Sequence, residues 1–299
     1  MNERLVGIDV GGTKMLAVAV DRSRPTDVLD QRQVPTPSSS EGVLDAIVDL
    51  ARDIGIEHHL GIGLAGLVED GDVLRAAPNL QCMIDVPVRD AVADALGISV
   101  RIENDATCAL VAEMSFGVAQ GVEDVVLVTL GTGIGGGIAS GGVIRRGVHG
   151  FAGEPGHMCL DPHGPLCVCG RRGCWERYAS GAGLVWLAQE RGIVRDAAGS
   201  PLSGEVLVAL AREGDESAKA VWDDFADWLA RGLANLADVL DPELFVIGGG
   251  LVGVADLYLT RTREQFTSEV LGGRARTRTR IEPAQSGPSA GAIGAALLH

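Results

Sequence analysis

Two copies of one short pattern limit the folds open to this chain. Each copy is an apolar strand, a turn rich in Gly and Thr, and a second strand. The segments are Leu5–Val10, Gly11-Gly12-Thr13-Lys14 and Met15–Val20 in the first copy, and Asp124–Leu130, Gly131-Thr132-Gly133 and the strand from Ile138 onward in the second. Helical segments lie between such strands, which is typical of α/β folds. Because about 120 residues separate the copies, we expect a duplicated fold with a cleft between its halves.

The first glycine turn is a candidate phosphate site. Successive backbone N–H groups in such a turn can hold an anion, and Thr13 and Lys14 would add donors. Only two of the 25 basic residues are Lys, which favours a specific role for Lys14. The P-loop pattern fails because Thr13 precedes Lys14, and an ordinary hairpin turn remains the alternative. Asp9, just before the turn, could hold a hydrated magnesium ion.

A second candidate site follows the apolar strand Ile98–Ile102. Glu103, Asn104 and Asp105 come at its carboxyl end, where α/β sheets place ligand-binding residues. A helix over Ala106–Phe116 is predicted next. Asn104 or Asp105 would therefore cap that helix, so capping and catalysis are both open roles for Asp105.

The loop from Gly150 to Glu176 contains a candidate metal site. One His and three Cys side chains provide four ligands of the kind that bind zinc tetrahedrally: His157, Cys167, Cys169 and Cys174. Four protein ligands close the coordination sphere, so the metal would be structural rather than catalytic. The alternatives are incidental thiols or a redox pair formed by Cys167 and Cys169. A rigid loop would hold Glu154 and Glu176 beside the metal.

The remaining segments read as helices and strands. We predict helices over Glu41–Ile54, Val88–Leu96, Ala182–Glu190, Gly204–Ala211, Asp215–Leu240, Val254–Phe266 and Ala290–Leu298, and strands over Val28–Val34, Leu60–Leu64 and Leu244–Ile247. The Trp residues of the long helix are expected to pack in a core. Four alternating arginines are predicted on one face of a strand, as a charged edge or an anion patch: Arg274, Arg276, Arg278 and Arg280.

Two stretches match the G-x-G-x-x-G spacing of dinucleotide sites. Gly131, Gly133 and Gly136 are followed by a strand, so the required strand-to-helix context is missing. Gly248, Gly250 and Gly253 have that context but lie too near the carboxyl end for two mononucleotide halves. Contact of Gly248-Gly249-Gly250 with an adenosine is the better interpretation.

Taken together, these motifs resemble the ROK family of sugar kinases, within the actin-like/hexokinase ATPase superfamily, and the closest likeness is to bacterial ATP-dependent glucokinases. The resemblance covers nearly the whole chain. It is carried by LVGIDVGGTK, RIENDA, TLGTGIGGG, EPGHM, CVCGRRGCWE and PELFVIGGG. The segment APNLQCM departs from the family pattern because Met83 stands where Trp is usual.

The resemblance implies a two-lobed actin-like/hexokinase (ribonuclease H-like) fold of α/β class with a zinc-binding loop. The N-terminal lobe is expected over residues 1–117, and the C-terminal lobe over 118–288 with the zinc loop at 150–176. A last helix, at about 289–299, is expected to return to the first lobe.

The resemblance also implies roles for individual residues. Asp105 corresponds to the catalytic base, which agrees with its place at a strand end. Zinc would be bound by the four His and Cys ligands. The expected sugar contacts are Gly66, Asn79, Asn104, Asp105, Glu154, His157 and Glu176. Mg-ATP would meet Asp9, Gly11, Gly12, Thr13, Lys14, Gly131, Thr132 and Gly133 at its phosphates and Gly248, Gly249 and Gly250 at its adenosine.

We therefore expect phosphorylation of a hexose at its 6-hydroxyl, with glucose as the first candidate. Kinases for N-acetylmannosamine, N-acetylglucosamine or fructose, and a polyphosphate-using glucokinase, are alternatives. Sugar-responsive repressors and catalytically inactive sugar-binding regulators belong to another class. Only eight residues precede Asp9 in this sequence, so we do not expect the helix-turn-helix that such repressors carry ahead of the glycine motif.

Charge and hydropathy exclude several classes of protein. The net charge of −15 argues against a nucleic-acid or anionic-membrane surface. Glu3 and Asp9 interrupt the apolar core that a signal peptide needs, and the apolar runs have strand length. We expect a cytoplasmic protein that forms a homodimer or homotetramer.

Overall fold

The computed structural model describes residues 3–77, 80–193 and 202–298 and divides into two compact units. The first unit comprises Met1–Glu123, Gly137–Gly153 and Ala284–His299, and the second comprises Asp124–Gly136 and Glu154–Pro283. Each unit contains α-helices packed on a mixed sheet. The predicted α/β class is confirmed.

The first unit is built on a five-stranded sheet of order β3-β2-β1-β4-β7. Its strands are β1 (Arg4–Val10), β2 (Lys14–Asp21), β3 (Arg24–Pro35), β4 (His59–Leu64) and β7 (Ser99–Asn104). The first three strands are antiparallel, whereas β1, β4 and β7 are parallel. The carboxyl ends of the parallel strands therefore meet at one edge of the sheet.

Helices and a small hairpin complete the first unit. The helices are α1 (Ser40–Asp53), α2 (Val88–Leu96), α3 (Asp105–Phe116) and α9 (Ala290–Ala296), and the hairpin is β5 (Leu67–Glu69) with β6 (Val73–Ala76). Glycines let α9 approach the sheet closely, because a Cβ at Gly7 or Gly61 would overlap the backbone of Ala292 or Ala295. The many small residues of α9 suit this close packing.

A second five-stranded sheet has the order β10-β9-β8-β11-β12. Its strands are β8 (Val125–Leu130), β9 (Ile134–Ser140), β10 (Val143–Ile144), β11 (Leu244–Gly248) and β12 (Arg280–Pro283). The division between the units falls within β9. As in the first sheet, the later strands, here β11 and β12, run parallel to the strand that precedes the glycine turn. This repeated arrangement confirms the duplication predicted from the two turns.

The core of the second unit forms around a long helix. The helices are α4 (Glu176–Ala179), α5 (Gly181–Glu190), α6 (Gly204–Arg212), α7 (Glu216–Leu240) and α8 (Leu259–Glu269), with 3₁₀ turns over Pro155–His157 and Gly250–Leu257. Trp222 of α7 is buried in this core, as predicted. Trp175 is also buried, and its ring lies against Gly232, where a Cβ would overlap it.

Two sequence predictions in this unit were wrong. The alternating arginines do not share a strand: β12 starts only at Arg280. Arg276 instead donates to the Ala237 carbonyl, at 2.9 Å, and to the Asp238 carboxylate, at 3.1 Å, near the end of α7. The helix predicted over Val254–Phe266 is interrupted, since Val254 has non-helical angles and α8 begins at Leu259.

Among the helices of the described residues, none combines the length and apolar character needed to cross a membrane.

Candidate active site and metal centre

The predicted base lies where β7 passes into α3. Asn104 is the N-cap of α3, because its Oδ1 accepts the Thr107 N–H at 3.0 Å. Its Nδ2 donates to the Gly66 carbonyl at 3.1 Å, so two predicted sugar contacts touch each other. Asp105 is the first helical residue, and its Oδ1 accepts the Ala106 N–H at 2.9 Å. The structure thus assigns the capping role to Asn104, which leaves the Asp105 carboxylate available for another role.

Two carboxylates of the first unit have raised pKa values. Desolvation raises the pKa of Asp105 to about 6, and backbone N–H groups oppose the shift. Desolvation also raises the pKa of Asp9 to about 7; the Asp105 charge adds to this shift and Lys14 opposes it. Such values near neutrality suit a group that takes up a proton. The charge of Asp105 acts on Asp9, and carboxylates are ligands that a divalent cation prefers.

The first glycine turn joins β1 to β2 beside Asp9. The Gly11 N–H donates to the Lys14 carbonyl at 3.1 Å, and the Thr36 hydroxyl donates to the Gly11 carbonyl at 2.7 Å. Gly12, Thr13 and Lys14 are exposed. This anchored but accessible turn retains donors that could meet a phosphate.

The second glycine turn lies against one of the predicted sugar contacts. Gly131 bonds to Gly133 across the turn at 3.0 Å, and its carbonyl accepts the Gly181 N–H at 2.8 Å. A Cβ at Gly133 would lie 2.5 Å from Glu176 Oε2. Thr132 is exposed. Gly249, which follows β11, packs against Leu130 at the start of the same turn, so two predicted nucleotide segments of the second unit adjoin.

The predicted metal ligands form one cluster in the second unit. One nitrogen or sulfur atom from each of His157, Cys167, Cys169 and Cys174 lies within 4.8 Å of the others. The Sγ atoms of Cys169 and Cys174 are 3.5 Å apart, and Cys167 Sγ is 3.8 Å from His157 Nδ1. A tetrahedron with Zn–S bonds of about 2.3 Å has edges of about 3.8 Å. The spacing and the donor set therefore fit a zinc ion.

Charges around the thiols also affect this cluster. Burial opposes ionisation of Cys169, but hydrogen bonds from Arg171 lower its pKa to about 7. Burial raises the pKa of Cys167, and its contact with the Glu176 carboxylate at 2.9 Å adds to that shift. Glu176 Oε1 also lies 3.9 Å from His157 Nδ1, and the Glu154 carbonyl accepts the His157 N–H at 3.2 Å. The predicted sugar contacts of this unit thus adjoin the metal ligands.

Asn79, a further predicted sugar contact, lies outside the described residues. Met83, which replaces the family's usual Trp, is buried in the core of the first unit.

Sequence reasoning missed the role of Glu103. This residue is 5% exposed, and its Oε1 accepts the Asn104 N–H at 3.0 Å. Its other carboxylate oxygen, Oε2, accepts the Nε–H of Arg146. An acidic residue directly after an apolar strand was the available signal, but its basic partner lies 43 positions away.

With this geometry in place, comparison with known proteins decides the family. A model of the ROK family matches residues 5–299. The chain belongs to the ROK family. The predicted resemblance is therefore confirmed along nearly the whole sequence.

Individual relatives of the ROK family extend this finding. The chain is 38% identical to the glucokinase of Streptomyces coelicolor, over 98% of this chain and 96% of that protein. It is 32% identical to an N-acetylmannosamine kinase of Escherichia coli, over 98% and 97%. Among solved structures, the ROK glucokinase of Streptomyces griseus in complex with glucose and AMPPNP superposes with a TM-score of 0.86 at 38% identity, covering 98% of both chains.

Proposed function

We propose that this chain is an ATP-dependent sugar kinase that transfers the γ-phosphoryl group to the 6-hydroxyl of glucose. The observation that carries the proposal is Asp105, a carboxylate with a pKa of about 6 at the end of a parallel strand. Full-length similarity to a glucokinase bound to glucose and AMPPNP supports the same reaction class.

Asp105 would act as the general base. Phosphoryl transfer needs alignment, charge neutralisation and a group that accepts the hydroxyl proton. As the sugar oxygen attacks the γ-phosphorus, the bond from that phosphorus to the bridging oxygen would break and ADP would leave, while the hydroxyl proton passes to an oxygen of Asp105. Asn104, held by the Thr107 N–H and the Gly66 carbonyl, would orient the sugar beside that carboxylate.

The other substrate roles follow the same assignment. Gly66, Asn79, Asn104, Glu154, His157 and Glu176 would contact sugar hydroxyls. The turns Gly11–Lys14 and Gly131–Gly133 would hold the ATP phosphates, and Gly248–Gly250 would meet the adenosine. Asp9 would hold the magnesium ion that accompanies ATP, which neutralises phosphate charge.

Zinc would be structural, held by His157, Cys167, Cys169 and Cys174. The close donor atoms of these side chains support this assignment. The ion would fix the loop that carries Glu176 and orient the His157 ring, so that Nε2 faces a sugar hydroxyl.

N-acetylmannosamine is the second candidate substrate. It is favoured by the similarity to N-acetylmannosamine kinases along 98% of this chain. Fructose, N-acetylglucosamine and a polyphosphate donor are weaker candidates.

A substrate screen tests the proposal. ADP release would be measured with ATP against glucose, mannose, fructose, N-acetylglucosamine and N-acetylmannosamine, and polyphosphate would replace ATP in a parallel series. We expect the highest kcat/KM for glucose and no turnover of 6-deoxyglucose. A higher kcat/KM for N-acetylmannosamine would replace glucose as the substrate, and absence of sugar-dependent ADP release would reject the kinase.

We also propose a cytoplasmic homodimer or homotetramer. Light scattering coupled to size-exclusion chromatography tests the assembly, and a monomer at assay concentration would contradict it.

A further inference from the structure

Residues 145–153 form a short segment of the first unit that leads directly into Glu154, one of the proposed sugar contacts. The segment folds back on itself, because the Ala152 N–H donates to the Arg146 carbonyl at 2.9 Å. Its entry is held to β9 by the Arg145 N–H, which donates to the Ile138 carbonyl at 2.8 Å. The segment nevertheless exposes Val148, at 86%, so its own apolar packing does not fix its position.

Beyond its bonds to β9, two further contacts hold this segment against β5 and the end of β7. Gly150 has a φ of +82° and lies so close to β5 that a Cβ would overlap the Val68 carbonyl. The second contact is the ion pair between Arg146 Nε and Glu103 Oε2. Side-chain exposure is 51% for Arg146 and 7% for Glu103. Because a buried carboxylate is costly without a partner, Arg146 is the compensating charge for Glu103.

Glu103 connects this ion pair to the proposed catalytic segment. Its Oε1 accepts the Asn104 N–H at 3.0 Å, one residue before Asp105. One carboxylate therefore bonds both the backbone at the end of β7 and the segment that precedes Glu154. Each Glu103 oxygen serves a different partner, and because the Glu103 carboxylate is buried, its charge is screened less than that of a surface ion pair.

We propose that Glu103 and Arg146 are positioning residues, which clasp the segment 145–153 to the end of β7 and thereby set the sugar affinity of the enzyme. Neither residue is assigned a contact with substrate. The inference rests on the proposed function, since sugar affinity is its kinetic readout. Loss of the clasp should loosen the segment before Glu154 while leaving the nucleotide turns unaffected.

The test compares Arg146→Ala with Arg145→Ala. Arg145 is the matched control, because it is also exposed and its Nη2 donates to the Ser140 carbonyl rather than to a carboxylate. Hydrogen exchange of peptides covering residues 141–153 and the KM values for sugar and ATP would be measured for both. We expect Arg146→Ala to speed exchange and to raise the sugar KM about tenfold, with the ATP KM within about twofold of the native value. Arg145→Ala should change neither.

A second variant keeps the inference testable if Arg146→Ala folds poorly. Glu103→Gln retains an acceptor for the Asn104 N–H but removes the charge. By itself Glu103→Gln should also speed exchange over residues 141–153 and raise the sugar KM. Where both variants fold, the two effects on the sugar KM should not add, because the residues act as a pair. Additive effects on the sugar KM, or unchanged hydrogen exchange in Arg146→Ala, would contradict the proposal that these two residues hold the segment to the end of β7. Faster exchange in Arg146→Ala, in a protein whose native form phosphorylates no sugar, would support the clasp and reject the proposed kinase.

Discussion

Asp9 and Asp105 of the first unit lie at the ends of two different parallel strands, β1 and β7, whereas the four His and Cys side chains of the second unit lie within residues 157–174. The carboxylates are therefore placed by the hydrogen-bonded ladder of a sheet. The His and Cys side chains are placed by a short loop in which Gly170 and Gly173 adopt positive φ angles.

This comparison separates two ways of holding polar groups. The first unit keeps two buried carboxylates although their pKa values rise, because strand pairing and core packing outweigh the cost of desolvation. The loop has few hydrogen bonds of the kind that join paired strands, so a metal ion would supply much of its stability. Mutation of the two carboxylates should therefore change catalysis, whereas mutation of the four His and Cys side chains should change the stability of the fold.

The largest effect is expected for Asp105→Asn. The Asn side chain retains the oxygen that accepts the Ala106 N–H, so the fold should persist while the base is lost. We expect kcat to fall about 10²- to 10⁴-fold. ADP-release kinetics and thermal melting check this. Asp90→Asn, at an exposed position of α2, is the control; a folded Asp105→Asn with native kcat would contradict the assignment.

The second prediction concerns folding of the metal loop. Cys174→Ser removes a fully buried member of the cluster, and we expect the melting temperature to fall by about 10 °C as metal affinity drops. Cys159→Ser is the matched control, since Cys159 is exposed and stands outside the four. Zinc content by mass spectrometry and calorimetry measure the difference. Equal falls in melting temperature and in zinc content for both variants would contradict the assignment of these four side chains as metal ligands.

The pH dependence should report on the first unit. A base works only when deprotonated, so the raised pKa of Asp105, about 6, removes activity as the pH falls through that value. Protonation of Asp9, with a pKa of about 7, would act in the same direction. Because both groups would have to be deprotonated, we expect kcat/KM to fall about tenfold per pH unit between pH 7 and pH 6 and about 100-fold per unit below pH 6. A flat profile down to pH 5, in protein that circular dichroism shows to be folded, would exclude this role for Asp105.

The smallest effect is expected at the second glycine turn. Gly133→Ala would bring a methyl group to 2.5 Å from Glu176 Oε2 and displace that carboxylate. We expect the sugar KM to rise about threefold to tenfold. At Gly131 an added Cβ meets nothing within 4 Å, so Gly131→Ala should leave the sugar KM unchanged and act on ATP alone. Steady-state kinetics with each substrate varied distinguish the two, and identical profiles would contradict the assignment of Glu176.

Local patterns predicted much of this molecule. Short apolar runs indicated the strands that flank both glycine turns, and the spacing of Val221, Trp222, Phe225 and Leu229 indicated the long helix. The spacing of residues within one loop was enough to predict the His and Cys cluster as a candidate metal site, because its members are close together in sequence. Each of these features depends on residues close together along the chain.

Other features escaped the sequence because their causes lie far apart along the chain. The four alternating arginines looked like a strand face, yet Arg276 turns toward the end of α7, where carbonyl groups and Asp238 attract a guanidinium. Asn104 and Asp105 were equal candidates for the helix cap until the backbone angles decided between them. The ion pair of Glu103 could not be predicted from its neighbours in sequence, because its partner Arg146 lies 43 positions away.

The sequence by itself determined the class of fold, the two turns and the grouping of His157, Cys167, Cys169 and Cys174 in one loop, since period, turn chemistry and spacing are local properties. Tertiary structure alone decided which carboxylates lose water, which residue caps α3 and which arginine compensates Glu103. The reason is that desolvation and charge pairing depend on every neighbour in space, and those neighbours come from strands and loops that folding brings together.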